Sequence, residues 1–308
     1  MRLCGLRLPI LLRCVLVAAV SSHLAACGSD SDNDDGPPPM FAVLSAFPAE
    51  LAPLLERADI EETIPLDDGR VLRVGKIGRV PVVLALAGIG LVNAETMTRT
   101  VLDRYDVAGV IVSGVAGSPL RIADVAVPVE WTLVGDGTFT PPQRWLALAE
   151  RIAPSASADL ERCTMPPNRP SQGEVCMPFQ PAVVVGGVGQ SDDPFNGTAF
   201  KCQQTGTSDV FGCDVAMGSA FKVQDGAFEA HGAVEADAPA AVDMETGAIA
   251  REATAHGVPF IAFRAVSDGA EDPLMLPGFP TQFFAYYRLA ARNAATAAAA
   301  FLERVASQ

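Results

Sequence analysis

Short runs that are apolar on both faces recur along the chain, each followed by glycine or polar punctuation and then by a helix-compatible stretch. "MFAVLSAF" leads into "PAELAPLLERA", and "VPVVLALAGIG" leads into "LVNAETMTRTVLDRY". "VAGVIVSGVAG" ends in a glycine-rich turn, while "VPFIAFRAVSDG" follows the helical "TGAIAREATAHG", which His256-Gly257 closes as a C-cap. The alanine-rich "FFAYYRLAARNAATAAAAFLERVA" reads as a long final helix. Runs apolar on both faces that alternate with helices are strands of a largely parallel sheet covered on both sides. The expected fold class is α/β: one domain over residues 40–308, with a central mixed, largely parallel twisted sheet flanked by helices in three layers. Between about residues 131 and 240 the pattern degrades to prolines, glycines and one clear strand, "PAVVVGGVG". That stretch is read as a loop-rich elaboration of the same domain.

The N-terminus is a separate object. Arg2, Arg7 and Arg13 precede and interrupt "LPILLRCVLVAAV", which has the layout of a secretory signal and is too short and broken to span a bilayer. "LAAC", ending at Cys27, resembles the lipobox of bacterial lipoproteins, which implies a signal peptide over residues 1–26 and a lipid-modified Cys27. Acyl chains there, at about 0.8 kcal/mol per buried methylene, would anchor the protein to a membrane. By the same resemblance, Gly28 in place of an aspartate points to the outer membrane. Residues 27–39, acidic and ending in three prolines, then form a tether.

Cysteine use fits export. Cys4 and Cys14 leave with the signal, so Cys163, Cys176, Cys202 and Cys213 remain for the folded domain. In an oxidising compartment two disulfides are the simplest reading; three connectivities are possible, and neighbour pairing would close two short local loops. Metal binding is the rival reading, opposed by the wide spacings and the lack of nearby histidine.

Charge then narrows the partners. Lys and Arg number 22 against 36 Asp and Glu, a net charge of -14, which excludes nucleic acid as the expected partner because its phosphates need cationic neutralisation. Hydrophobic residues make up 49% of the 308, enough for a sizeable core. In parallel α/β sheets ligands bind beyond the carboxyl ends of the strands. The residues falling there are Glu50, Gly88, Gly90, Ser113, Gly114, Gly117, Ser267 and Asp268, while Arg264 lies inside an apolar strand and so requires a partner or a ligand. The set contains carboxylates, one guanidinium and glycines, with no Ser/His/Asp or metal constellation.

"AVDMETGAIAREATAHGVPFIAFRAVSD" resembles the signature of the nucleoside phosphorylase and nucleosidase superfamily, and within it the methylthioadenosine/S-adenosylhomocysteine nucleosidases. "LSAFPAEL", "LALAGIGLVNA" and "VSGVAGSPLRIADVAVP" extend the resemblance in the family's order. It implies hydrolysis of the N-glycosidic bond of purine nucleosides or 5'-thioadenosines, without a cofactor or metal, by a homodimer. Glu245 would accept the ribose hydroxyls, with Met244 packed beside the sugar. Asp268 would protonate purine N7, oriented by Ser267. Glu50 would take the proton of the attacking water, held with help from Arg264, and Gly88 and Gly90 would let backbone approach water and sugar closely. For Phe195 and Phe279 two readings stand, stacking on the base or lining the 5' pocket, and packing in the core; Asp243 keeps a capping or orienting role.

Two alternatives stay open. Phosphorolytic relatives carry an arginine-bearing phosphate loop near the first strand, where this chain has Glu50. A nucleoside- or purine-binding lipoprotein without catalysis is suggested by Ala87, where the nucleosidases have a water-contacting serine, and by the altered base segment "GGVGQSDDPF".

Overall fold

The computed structural model describes residues 40–194, 196–199 and 239–307. Cys27, Phe195, Cys202, Cys213 and the proposed signal and tether lie outside them, so those assignments stand as expectations.

The chain opens with β1 (Phe41–Ser45), α1 (Pro48–Leu55), β2 (Ala58–Pro65), β3 (Val71–Ile77), β4 (Val80–Leu86), α2 (Leu91–Arg104) and β5 (Gly109–Arg121). It continues through β6 (Val125–Val127), β7 (Glu130–Leu133), β8 (Gly137–Phe139), α3 (Gln143–Ala158), β9 (Cys163–Thr164), β10 (Val175–Cys176), β11 (Val183–Val185) and β12 (Val188–Ser191). Beyond residue 238 come β13 (Ala241–Asp243), α4 (Thr246–Ala255), β14 (Phe260–Ala270) and α5 (Thr281–Val305).

One mixed sheet runs in the order β2-β3-β4-β1-β5-β13-β12-β7-β8, with β14 between β5 and β6 and with β11 beyond β6. The pairs β1–β4, β1–β5, β5–β14, β12–β13, β7–β12 and β6–β11 are parallel. These strands are the apolar runs of the sequence, buried on both faces because helices cover both. On one face α1, α3 and α5 close over Phe41, Val43, Leu84, Ile111 and Phe263. On the other, α2 and α4 close over Ala42, Leu44, Val83, Val112 and Ala262. The result is a three-layer α/β/α domain with β1, β5 and β14 at its centre. The helix boundaries follow local chemistry: Pro48 supplies a first-turn proline to α1, and Gly257, at φ +69°, ends α4 just after His256.

Three expectations need correction. β5 does not turn at its glycines but continues to Arg121, because β14 stays paired beside it as far as Ala270. "PAVVVGGVG" is two strands rather than one: Gly186 and Gly187, at φ +138° and +70°, break it so that β11 joins β6 while β12 joins β7 and β13. The region read as loop-rich holds the 16-residue α3, whose Trp145, Leu146, Leu148, Ala149, Ile152 and Ala156 form a helical apolar stripe against α5. Within that region Cys163 and Cys176 form a disulfide across the β9–β10 hairpin.

Candidate functional site

The carboxyl ends of β1, β4 and β13 and the later parts of β5 and β14 converge on a cleft lined by Glu50, Asp243, Met244, Glu245, Arg264, Ser267 and Asp268. Its apolar wall is Phe47, Ile89, Phe279, Phe283 and Phe284. Residues separated by more than two hundred positions meet there because β1, β4, β5 and β14 run in parallel beside one another and β13 crosses in against β5.

Arg264 organises the polar end. The residue is 2% exposed, so its charge requires compensation. Its Nη2 donates to Glu245 Oε2 at 3.0 Å, and Nε lies 2.9 Å from Asp243 Oδ2, a close ion-pair contact whose N–H is not aimed at that oxygen. Nη1 is buried without a hydrogen-bond partner. Burial opposes the guanidinium charge, but Asp243, Glu50 and Glu245 outweigh it and hold the pKa above the ordinary value.

Glu50 sits in the first turn of α1, 1% exposed, where its oxygens accept 2.7 Å bonds from Ala46 N and Val115 N. Burial pushes its pKa up, partly countered by Arg264 and by those two N–H groups. Gly114 makes room for both partners: a Cβ there would lie 2.5 Å from Glu50 Oε1 and closer still to Arg264 Nη1. Glu50 and the unpartnered Nη1 therefore converge on one spot.

Asp243 and Glu245 divide the work at the start of α4. Asp243 Oδ1 accepts from Ser191 Oγ and, at 3.2 Å each, from Glu245 N and Thr246 N; Oδ2 accepts from Thr246 Oγ1. It thus both caps the helix and faces Arg264. Glu245 Oε1 accepts from Gly90 N at 3.0 Å, and burial, countered by Arg264 and aided by Asp243 and Glu50, raises its pKa. The glycines of the β4–α2 loop consequently serve Glu245 and the helix start. The cleft wall there is Ile89, and a Cβ on Gly88 would strike Asn93 at 2.8 Å. Ala87 carries no hydroxyl; its carbonyl accepts from Arg70 Nη1 at 3.1 Å, a buried arginine that the sequence reading passed over.

Asp268 occupies the other end. Register shifts flank it where β14 pairs with β5, and Ser267 Oγ donates to its Oδ1 at 2.7 Å. As a residue it is half-buried, because it faces the open cleft; protein nevertheless surrounds the carboxyl closely enough that burial pushes its pKa up to about 6. A Cβ on Gly117 would stand 2.8 Å from its Oδ2. Met244 and Phe279 both line the cleft, joined by Phe283 and Phe284 from α5, which the sequence reading did not single out.

The relatives point the same way. The chain is 34% identical over 179 residues to an uncharacterised protein of Mycobacterium tuberculosis, covering 54% of this chain and 73% of that one. It is 32% identical over 128 residues to a 5'-methylthioadenosine/S-adenosylhomocysteine nucleosidase of Thermotoga maritima, covering 40% of this chain and 54% of that one. Among solved structures, the corresponding nucleosidase of Colwellia psychrerythraea in complex with adenine superposes with a TM-score of 0.58 at 21% identity, covering 86% and 95% of the two chains. Futalosine hydrolase of Helicobacter pylori superposes with a TM-score of 0.55 at 21% identity, covering 86% and 98%. The phosphorylase superfamily model matches residues 40–307, nearly the whole described domain, and the chain belongs to that superfamily.

Proposed function

We propose that the protein hydrolyses the N-glycosidic bond of purine nucleosides or 5'-thioadenosines, releasing free base. The observation that carries this reading is the pairing of two unlike groups in one cleft: a carboxyl that holds its proton to about pH 6, Asp268, and the convergence of Glu50 with the unpartnered Arg264 Nη1. Asp268 gives its proton to the purine N7 as the glycosidic bond breaks, and the bond's electrons leave with the base. A water held by Arg264 Nη1 adds to the sugar carbon and gives its proton to Glu50. Glu245 retains a free lone pair on each oxygen for the ribose hydroxyls, since one of each is used by Gly90 and Arg264. Met244, Phe279, Phe283 and Phe284 offer apolar surface to the base or the 5' group.

Phosphorolysis fits the charges less well. Glu50, Asp243 and Glu245 surround a single guanidinium, and a phosphate polyanion placed there would meet more negative than positive charge. The deciding assay incubates the purified mature protein with methylthioadenosine, adenosine and inosine in phosphate-free buffer. Release of base together with free sugar is expected. Turnover only with added phosphate would make it a phosphorylase, and tight binding without turnover would make it a binding protein. The sequence also supports export and lipidation at Cys27, with assembly as a homodimer. Mass spectrometry of the membrane-extracted N-terminus and light scattering of the mature domain test these two points.

A further inference from the structure

We infer that Gln282 is a positioning residue for Asp268, tying the strand that carries the proton donor to the loop that walls the cleft; the inference rests on the nucleosidase reading above. Gln282, in the first turn of α5, is 6% exposed, and the reaction as described gives this buried amide no task. Its Oε1 accepts from Gly269 N at 3.0 Å, the backbone group immediately after Asp268. Its Nε2 lies 3.3 Å from both Asp272 Oδ2 and Leu276 O. Asp272 in turn accepts from Leu274 N at 2.8 Å, Leu276 N at 2.7 Å and the Tyr286 hydroxyl. One carboxamide therefore joins the residue beside the acid to the knot that shapes residues 271–280, from which Phe279 enters the cleft.

The need for such a tie lies in the strand. The β14–β5 register shifts between Val266 and Asp268 and again between Asp268 and Ala270, so Gly269 N–H turns out of the ladder and towards Gln282. Left unpaired in that half-buried place, the N–H would favour a backbone rotation that carries Asp268 with it. Space on the other side is closed: a Cβ on Gly269 would lie 2.5 Å from Leu120 O and from Val266 Cγ1. The amide of Gln282 offers an acceptor to Gly269 and a donor to Asp272 together.

The test compares the full mature chain with Gln282→Met, which keeps the length and loses all three hydrogen bonds, and with Gln282→Glu, which keeps the acceptor. Two readouts are taken: kcat and KM for methylthioadenosine, and the ligand-free titration of the Asp268 carboxyl by carbon NMR, assigned with Asp268→Asn. Gln282→Met adds no charge to the groups near Asp268, namely Glu50, Asp243, Glu245 and Arg264 in the cleft and Asp272 behind Gln282. A changed titration would thus report a displaced carboxyl. The expected result is a kcat lowered about 10- to 100-fold with KM little changed, as misplacement of a reacting group produces. The Asp268 titration should also move down from about 6. Gln282→Glu, which keeps the acceptor for Gly269 but sets an oxygen against Asp272 Oδ2 and Leu276 O, should recover only part of kcat. A Gln282→Met protein with lower thermal stability but unchanged kcat and titration would overturn the inference. Should the unsubstituted protein cleave no nucleoside, the nucleosidase reading fails, and the titration still decides the role of Gln282.

Discussion

At one end of the cleft Glu50, Asp243 and Glu245 crowd a single guanidinium, and each of their carboxylates accepts from neighbouring N–H or O–H groups. At the other end Asp268 has Ser267 as its one hydrogen-bond partner among the described residues and phenylalanines in the wall beyond. Both ends raise carboxyl pKa values by burial, yet only the first opposes that rise with a positive charge. Burial thus lifts carboxyl groups at both ends, Glu245 to about 7 and Asp268 to about 6, and contact is what separates them. Glu50 and Glu245 are held by Arg264 and backbone N–H groups, whereas Asp268 meets only Ser267 among the described residues and faces the open cleft.

The sharpest break of this contrast is Asp268→Asn, which retains shape and removes the proton. A loss of about 10²–10⁴-fold in kcat is expected for removal of a general acid, with folding intact by circular dichroism. Gly114→Ala attacks the opposite end by driving a methyl into Glu50 and Arg264. About 100-fold loss of kcat is expected from that displacement, with the pH limb of Asp268 preserved; a shifted limb would show the two ends to be one coupled unit.

The pH dependence comes next. A proton donor works only while protonated, so kcat/KM should fall about tenfold per pH unit above about pH 6, and that limb should be absent from Asp268→Asn. The stability consequence has the same origin. Because the folded pKa is raised above the ordinary 3.8, the folded state binds more protons than the unfolded one between pH 4 and 6, and stability declines as pH rises through that window. The half-buried setting reduces this to about 1 kcal/mol. Asp268→Asn should escape the decline and be the more stable protein at pH 7 in urea denaturation. The smallest effect is expected from Cys163 and Cys176, whose hairpin stands apart from the cleft-lining residues. Reduction should lower the melting temperature while changing kcat by less than about twofold, since such a bridge acts chiefly on the unfolded chain.

Much of this contrast is already written along the chain. The apolar runs that become β1, β4 and β14 mark the strand ends, and Arg264 stands out because a cation inside an apolar strand needs company. The tie between Gly90 N–H and Glu245 is not visible there, since two loops 155 positions apart supply it. Gln282 escapes for the same reason: nothing local marks an amide in an aromatic-rich helix start, and its value depends on a register shift in another strand. Helix α3 was obscured by Pro142 before it and Pro154 within it, although its apolar spacing is regular. Asp243 and Glu245 look equivalent as neighbours in sequence; only the geometry separates the helix cap from the open acceptor.

One further property follows from β5. Gly114 lies beneath Glu50 and Arg264, and Gly117 lies beneath Asp268. Three residues of extended chain measure about 10 Å, close to the roughly 6.5–9.5 Å by which inverting glycosidases separate their two carboxyl groups to admit a water. The strand is thus a ruler whose graduations are glycines. Inserting or deleting a single residue between those two positions would move one glycine by about 3.3 Å and turn it to the other face of the strand, so that it no longer lay beneath its carboxylate.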